Sequence, residues 1–196
     1  MKNSLNQAAL DQLFLTARTF NNFTDRPVAG ETLHALYDLL KWGPTAVNCQ
    51  SGRYVFIQSS EGRNRLRPAL MPGNVAKVDG APVTVIVATD RWFYEYLRGQ
   101  WTAYDAQKGF AENQELAAAT GFRNGSLAGA YLILAARALG LDCGPMSGFD
   151  NAKVDAEFFP DGRWGSNFLV NLGYGQEGGF YPRGPRLTFE ETCLVV

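Results

Sequence analysis

Apolar positions recur at helical spacing in two stretches near the start of the chain. Leu10, Leu13, Phe14 and Ala17 share one face behind a Ser4-x-x-Gln7 capping-box pattern, and that helix ends around 18–22. Leu33, Leu36, Tyr37 and Leu40 line a second helix from about Ala29 to Trp42. Gly43-Pro44 stops it, because glycine tolerates a left-handed cap and proline cannot continue the helix. The pattern then predicts a strand over Tyr54–Gln58, a helix over Glu61–Leu70 and a buried strand over Val83–Ala88 after Pro82. Arg91–Gly99 reads as helical, followed by a mobile connection up to Phe110.

The strongest helical pattern is Glu112–Leu139, where Leu127, Tyr131, Leu134, Ala138 and Leu141 step by four and three into a predicted core stripe. Gly121, Gly125 and Gly129 fall at four-residue intervals within it. A helical glycine costs about 0.8–1 kcal/mol against alanine, so three of them point to close approach of another backbone. A partner helix at a subunit interface is the simplest candidate; the alternative starts the helix near Arg123 and leaves Gly121 in a loop. Gly140–Phe149 reads as a turn-rich loop, Asn151–Phe158 as a short helix and Asn167–Gly173 as a strand. No repeat, low-complexity tract or linker divides the chain, so one domain spanning 1–196 is expected.

Composition narrows the chemistry. A 196-residue domain buries roughly 70% of its extended-chain surface, and 46% hydrophobic with 19% charged residues is ordinary for a globular fold. A net charge of −1 offers nothing to nucleic acid or an anionic membrane. The first residues lack an apolar signal core and the longest apolar run, Ala130–Leu134, is too short to span a bilayer; a cytoplasmic protein is expected. The three cysteines are widely separated, with no C-x-x-C for zinc or a redox dithiol. His34 is the one histidine, which leaves no Ser-His-Asp triad beyond it and no histidine-based zinc site. No metal is expected, and the hard chemistry falls to a bound organic cofactor.

The segment Lys41-Trp-Gly-Pro-Thr-Ala-Val-Asn-Cys-Gln-Ser-Gly-Arg53 places short polar side chains between a helix stop and a β-rich run. That suits a planar, hydrogen-bonding ligand, although an ordinary helix-to-strand connection would look the same. Neither a dinucleotide G-x-G-x-x-G nor a Walker loop is present. What remains is a scattered polar and basic set: Arg18 and Asn22, Thr45 and Asn48, Asn74 and Lys77, Arg183 and Arg186. Arginine forks grip phosphate, amides match heteroaromatic edges, and a lysine stabilises negative charge on a reduced ring.

The ordered set Ala17-Arg-Thr, Gly43-Pro-Thr-Ala-Val-Asn48-Cys-Gln50, Gly73-Asn74-Val-Ala-Lys77, Gly140-Leu141, Pro145-Met-Ser-Gly-Phe149 and the pair Arg183/Arg186 resembles the FMN-dependent nitroreductase family. More narrowly, Thr120-Gly-Phe-Arg-Asn-Gly-Ser126, Gly144-Pro-Met-Ser-Gly-Phe-Asp150 and Pro185-Arg-Leu-Thr-Phe-Glu-Glu191 resemble the branch of that family that reduces malonic semialdehyde in pyrimidine (uracil) catabolism. The resemblance implies an α+β fold, a central and mostly antiparallel sheet flanked by helices, in an intertwined homodimer with FMN at the interface. It implies that Arg18, Arg183 and Arg186 hold the FMN phosphate, with Asn22 beside them. It places Pro44, Thr45, Ala46 and Asn48 against the partner's flavin, and Asn74 and Lys77 at the pyrimidine edge. Pro145, Met146, Ser147 and Gly148 then form the loop facing flavin N5, which carries the hydride; no side chain is assigned as catalytic.

Two departures stand out: many relatives carry glutamate where Ser147 sits, and arginine or lysine where Asn22 sits. NAD(P)H is the implied electron donor and malonic semialdehyde the implied acceptor, with a general nitro or quinone reductase second and a non-catalytic flavin carrier third. The aromatic cluster of Trp92, Tyr96, Trp101, Tyr104 and Phe110 is a candidate lid, or else a peripheral hydrophobic cluster. A substrate carboxylate needs a cation, for which Arg91, Arg98, Lys108 and Arg123 are candidates.

Overall fold

The computed structural model describes residues 3–196. Its first helix, α1 (Gln7–Leu10), passes directly into a wider π-type turn, Asp11–Leu15. The cap differs from the expected one: the Asn6 side chain, not Ser4, accepts the Ala9 N–H. Helix α2 (Gly30–Leu40) leads through Gly43-Pro44 into strand β1 (Gly52–Ile57). Helix α3 (Ser60–Leu66) follows. Then comes α4 (Pro72–Asp79), which the sequence pattern missed. Proline at its first position supplies a φ already suited to a helix start, a signal present in the sequence.

Strand β2 (Val83–Asp90) is buried along nearly its whole length and alternates between two cores. Val83, Val85 and Val87 face one with Leu36, Leu132 and Ala136; Ile86 and Ala88 face the other with Leu66, Val154 and Leu169. Coverage on both faces is why this strand reads as one continuous apolar run. A single 3-10 turn (Phe93–Tyr96), α5 (Leu97–Gln100) and α6 (Ala106–Ala111) occupy the stretch expected to be helix and mobile connection.

Helix α7 (Gln114–Ala138) spans 25 residues and includes all three spaced glycines, so it begins well before Arg123. Two expectations are corrected here. The stripe expected in the core is largely solvent-facing: Leu127 is 45% and Tyr131 37% exposed, with Phe122 beside them at 62%. The glycine face is the buried one, and it meets the protein's own sheet. A Cβ on Gly121 or Gly125 would press on Thr89, and one on Gly129 would overlap the Phe168 ring. The spacing correctly signals close approach, but a sheet face supplies it.

Strand β3 (Asp142–Met146) lies where a turn-rich loop was expected, because glycine and proline suppress the strand signal although an edge position tolerates both. Helix α8 (Asn151–Phe158) and strand β4 (Trp164–Gly173) complete the body, and α9 (Phe189–Thr192) caps an exposed tail. The four strands run in the order β1-β2-β4-β3 with every neighbouring pair antiparallel, giving an α+β architecture. Among the described residues, no helix is long and apolar enough to cross a membrane.

Candidate active site

The edge strand β3 organises two clusters of predicted site residues, one at each end. At its start, Thr19 forms a parallel bridge to Cys143, and the Phe20 N–H donates to the Cys143 carbonyl at 3.0 Å. This brings Arg18 beside Asp142 in a cavity of about 490 Å³ that also includes Phe180. The Arg18 guanidinium donates to the Tyr181 carbonyl and lies 4.7 Å from the Phe180 ring centre. Arg183 reaches back to the segment just before Arg18, donating to the carbonyls of Leu15 (2.7 Å) and Ala17 (3.0 Å). Neither arginine forms a direct ion pair among the described residues, although Asp11 and Asp142 line the same cavity as Arg18. Asn22 joins through its main chain, accepting from Gln176 N–H, while its side chain stays exposed. Arg186 stays on its own loop, donating to Gly184 and Pro185.

At the far end, Pro145 and Met146 finish the strand and Ser147-Gly148 turns away from it. The Gly148 carbonyl accepts from Met71 N–H at 3.0 Å and from the Asn74 amide at 2.9 Å. A side chain at Gly148 would collide with that amide. Lys77 sits one turn along α4, half-buried and without an ion-pair partner among the described residues. Its main-chain carbonyl is fixed by the buried Asn171 amide at 2.9 Å.

At about 3.3 Å per residue, Asp142 and Met146 stand roughly 13 Å apart. The two arginines and the amide–lysine cluster thus adjoin opposite ends of β3. That donor set fits an elongated ligand with a phosphate at one end and a planar, hydrogen-bonding ring at the other.

The third predicted group is a strained loop. Val47, Asn48 and Gln50 all adopt left-handed φ values, 49°, 51° and 42°. For a β-branched valine this is a clear outlier. Thr45 Oγ1 accepts from the Gln50 N–H at 3.1 Å, the Ala46 N–H donates to Asn124 Oδ1 at 2.9 Å, and the Asn48 amide donates to the Gln100 carbonyl at 3.3 Å. Pro44 is exposed ahead of it. Arg53 closes the other side, donating to the Gln50 and Gly52 carbonyls and pairing with Asp90 at 2.7 Å. Asp90 is fully buried and also takes Arg163 at 3.3 Å. This loop borders a separate cavity of about 730 Å³, lined by Tyr37, Tyr54, Tyr96 and Trp164 among others, which shares no residue with the cavity at Arg18.

Of the aromatic segment, Trp92, Tyr96 and Tyr104 are exposed. Phe110 stacks edge-on against buried Phe93 (5.1 Å), and Trp101 meets Tyr104 at 6.0 Å. Part of the segment is thus a packed cluster and part a solvent-facing rim. Among the cation candidates, Arg91 is engaged with Asp155 and Lys108 lies 3.9 Å from Glu112; Arg98 and Arg123 are exposed and form no ion pair among the described residues. His34 is exposed on α2. Burial pushes the Cys49 thiol above its ordinary range, which removes it as a nucleophile. Among the described residues no group of His, Cys, Asp and Glu is arranged to hold a metal. Sequence reasoning missed Arg53, Asp90, Asn124 and Asn171. A carboxylate ending an otherwise apolar strand was the available signal for Asp90; the others carried none.

A model of the nitroreductase family matches residues 16–174. A protein of Rhodopseudomonas palustris (strain TIE-1), provisionally named NADH dehydrogenase/NAD(P)H nitroreductase, is 56% identical over 196 residues, covering all of both chains. A protein of Xanthomonas oryzae pv. oryzae (strain PXO99A) with the same provisional name is 60% identical over 193 residues, 98% of each chain. Among solved structures, a nitroreductase-type protein of Exiguobacterium sibiricum 255-15 in complex with FMN superposes with a TM-score of 0.86 at 20% identity, covering 100% of both chains. With a family model spanning most of its length and two full-length relatives above half identity, this chain belongs to the nitroreductase family.

Proposed function

We propose that the protein is an FMN-dependent NAD(P)H oxidoreductase, working as a homodimer, that reduces malonic semialdehyde to 3-hydroxypropionate. The observation that carries the flavin reading is the pairing of clusters along β3: unpaired Arg18 and Arg183 at one end, Asn74, Lys77 and Gly148 at the other. The relatives' shared name supports the NAD(P)H donor. FMN bound there would supply the two-electron chemistry, taking hydride from NAD(P)H and giving it to the acceptor.

The chain's own residues do the rest. Arg18 and Arg183 neutralise the phosphate, with Arg186 the third contributor in this proposal. Asn74 and Lys77 meet the pyrimidine edge, where the ammonium offsets negative charge that grows on reduction. The Ser147-Gly148 turn presents main chain rather than a side chain to the ring. Exposed Phe122, Leu127 and Tyr131 on α7 give the apolar face a second protomer requires. That arrangement lets the Pro44–Asn48 loop of one protomer serve the flavin of its partner. Of the four cation candidates, Arg123 and Arg98 form no ion pair among the described residues and are the two this proposal assigns to a substrate carboxylate. The forming alkoxide takes its proton from water or a tyrosine in this proposal; His34 lines the cavity beside Thr45 and Gln50 but is exposed on α2.

The relatives' name favours one alternative, a general nitro or quinone reductase. Anaerobic addition of NADH to the yellow protein separates them. Bleaching reversed by malonic semialdehyde supports the specific reaction, and bleaching reversed only by quinones or nitroarenes supports the general one. Colour that resists both NADH and NADPH would overturn the enzyme reading.

A further inference from the structure

The loop over Thr45–Gln50 cannot hold its shape by local preference, since three non-glycine residues within four positions sit at positive φ. Something outside the loop must over-determine it. Helix α7 grips it at both ends within one helical turn. Asn124 Oδ1 accepts the Ala46 N–H at 2.9 Å, and the Gly121 carbonyl accepts the Ser51 hydroxyl at 3.1 Å.

Asn124 is only 3% exposed and lies between the two glycines that let α7 settle on the sheet. Its amide nitrogen donates to the Thr120 carbonyl at 2.8 Å, which fixes the amide plane and leaves the oxygen aimed at Ala46. That carbonyl is also the ordinary helical partner of residue 124, so the side-chain bond there orients more than it satisfies.

We propose that Asn124 is a positioning residue: by holding the Ala46 N–H it sets the conformation of the Pro44–Gln50 loop, and through that loop the affinity of the dimer for flavin. The inference rests on the flavin reading above. It assigns a function in the site to a helix residue whose polar contacts are to Ala46 and Thr120.

Two substitutions separate positioning from plain stability. Asn124→Asp keeps an acceptor for the Ala46 N–H but places a charge in a buried site; Asn124→Leu is similar in size and accepts nothing. A structural role alone makes flavin affinity follow thermal stability, with the buried charge the worse of the two. Positioning makes the orders cross: N124D melts lower than N124L yet binds FMN more tightly. The expected result, by flavin-fluorescence titration, is an FMN dissociation constant raised about tenfold in N124L and within about threefold of wild type in N124D. Amide exchange in flavin-free protein should accelerate over 46–50 in N124L and not in N124D.

Equal affinities and equal exchange in the two variants would overturn the proposal. Should N124L fail to fold, Ala46→Pro removes the same N–H from the other side. Thr45 is already extended, as a residue before proline requires, and Ala46 opens a helical turn where proline fits. A46P that keeps wild-type flavin affinity would count against Asn124 just as directly. A wild-type protein that never takes up FMN refutes the flavin reading instead, while the exchange comparison still decides the role of Asn124 in the loop.

Discussion

The side-chain amide of Asn171, near the C-terminal end of β4, donates to the main-chain carbonyl of Lys77 at 2.9 Å. Its oxygen accepts the Thr84 hydroxyl at 2.7 Å, and both side chains are fully buried. The sheet thereby pins the helical turn that carries the one lysine of the candidate flavin site. Asn171→Leu should orphan a buried hydroxyl and release α4, costing about 1–3 kcal/mol and several degrees of Tm. Adding Thr84→Val removes the orphan and should restore most of the stability without restoring flavin affinity. Melting curves and flavin titrations check this; recovery of both together would show that Asn171 does not act through Lys77.

Phe168 explains why Gly129 is glycine. A Cβ there would overlap the ring edge and crowd Val87 on the neighbouring strand. Gly129→Ala should destabilise by about 1–3 kcal/mol through overpacking, more than Gly121→Ala, whose new methyl meets Thr89 at 3.1 Å and the Phe93 ring at an ordinary 3.6 Å. Phe168→Leu should rescue Gly129→Ala in part. If urea melts rank the two alanine variants the other way, the glycine stripe does not serve sheet packing.

The contrast between α7 and α8 shows what the sequence made legible. Helix α8 runs over Asn151–Phe158, the bounds expected from the sequence, with Asp150 as its cap. For α7 the position was legible but the orientation was not. Large apolar residues were assigned to the core, whereas the buried face is built from Ala117, Thr120, Gly121, Asn124, Gly125, Gly129, Ala135 and Ala136, with Leu132 its one large apolar side chain. Close packing selects small residues, and a face awaiting another molecule carries the large ones, so hydrophobicity alone points the wrong way. Strand β3 was hidden because strand propensity does not register an edge position rich in glycine and proline. At the site, Arg18, Asn74 and Thr45 were legible through short motifs. Arg53, Asp90, Asn124 and Asn171 were not, because their roles arise from contacts across 37 to 94 residues of sequence.

The three arginines should differ in their hold on FMN. Arg18 and Arg183 converge on the segment 15–18 that leads to the Thr19–Cys143 bridge, while Arg186 folds onto its own loop. Alanine at position 18 or 183 should weaken FMN retention at least tenfold, each removing a proposed charge-assisted phosphate contact, and Arg186→Ala should weaken it less. Dialysis followed by absorbance of retained flavin ranks them. An Arg186→Ala protein that loses flavin first would place that side chain at the phosphate in the assembled dimer.

Buried thiols predict loss of stability in alkali. Burial raises the Cys143 thiol from 9.0 to about 12, with Cys49 and Tyr54 shifted in the same direction. Between those limits the unfolded chain sheds a proton that the native state keeps, so stability falls as pH rises. The slope is up to about 1.4 kcal/mol per pH unit for Cys143. Below about pH 9 both states keep the proton and this group contributes no slope. Urea melts of wild type and Cys143→Ala at about pH 8 and pH 10 should show a smaller loss in the variant. Identical losses would remove Cys143 from the alkaline transition.

Gln50 gives the most direct measure of the energy stored in the loop. Its φ of 42° is left-handed, its side chain is exposed, and its N–H bond to Thr45 Oγ1 would survive any side-chain change. The left-handed conformation costs about 1–2 kcal/mol for an ordinary residue; glycine escapes that cost but adds about 0.5–1 kcal/mol of chain entropy. Gln50→Gly should therefore raise stability by up to about 1 kcal/mol, or roughly 2–4 °C in Tm. If the strained geometry serves the flavin site, the same variant should turn over more slowly, because its relaxed loop samples other conformations. Higher Tm with lower kcat would tie the strain to function. A lower Tm would mean that the glutamine side chain, through its 3.2 Å bond to Asn48, contributes more than its backbone costs, and the loop would then store no usable strain at this position.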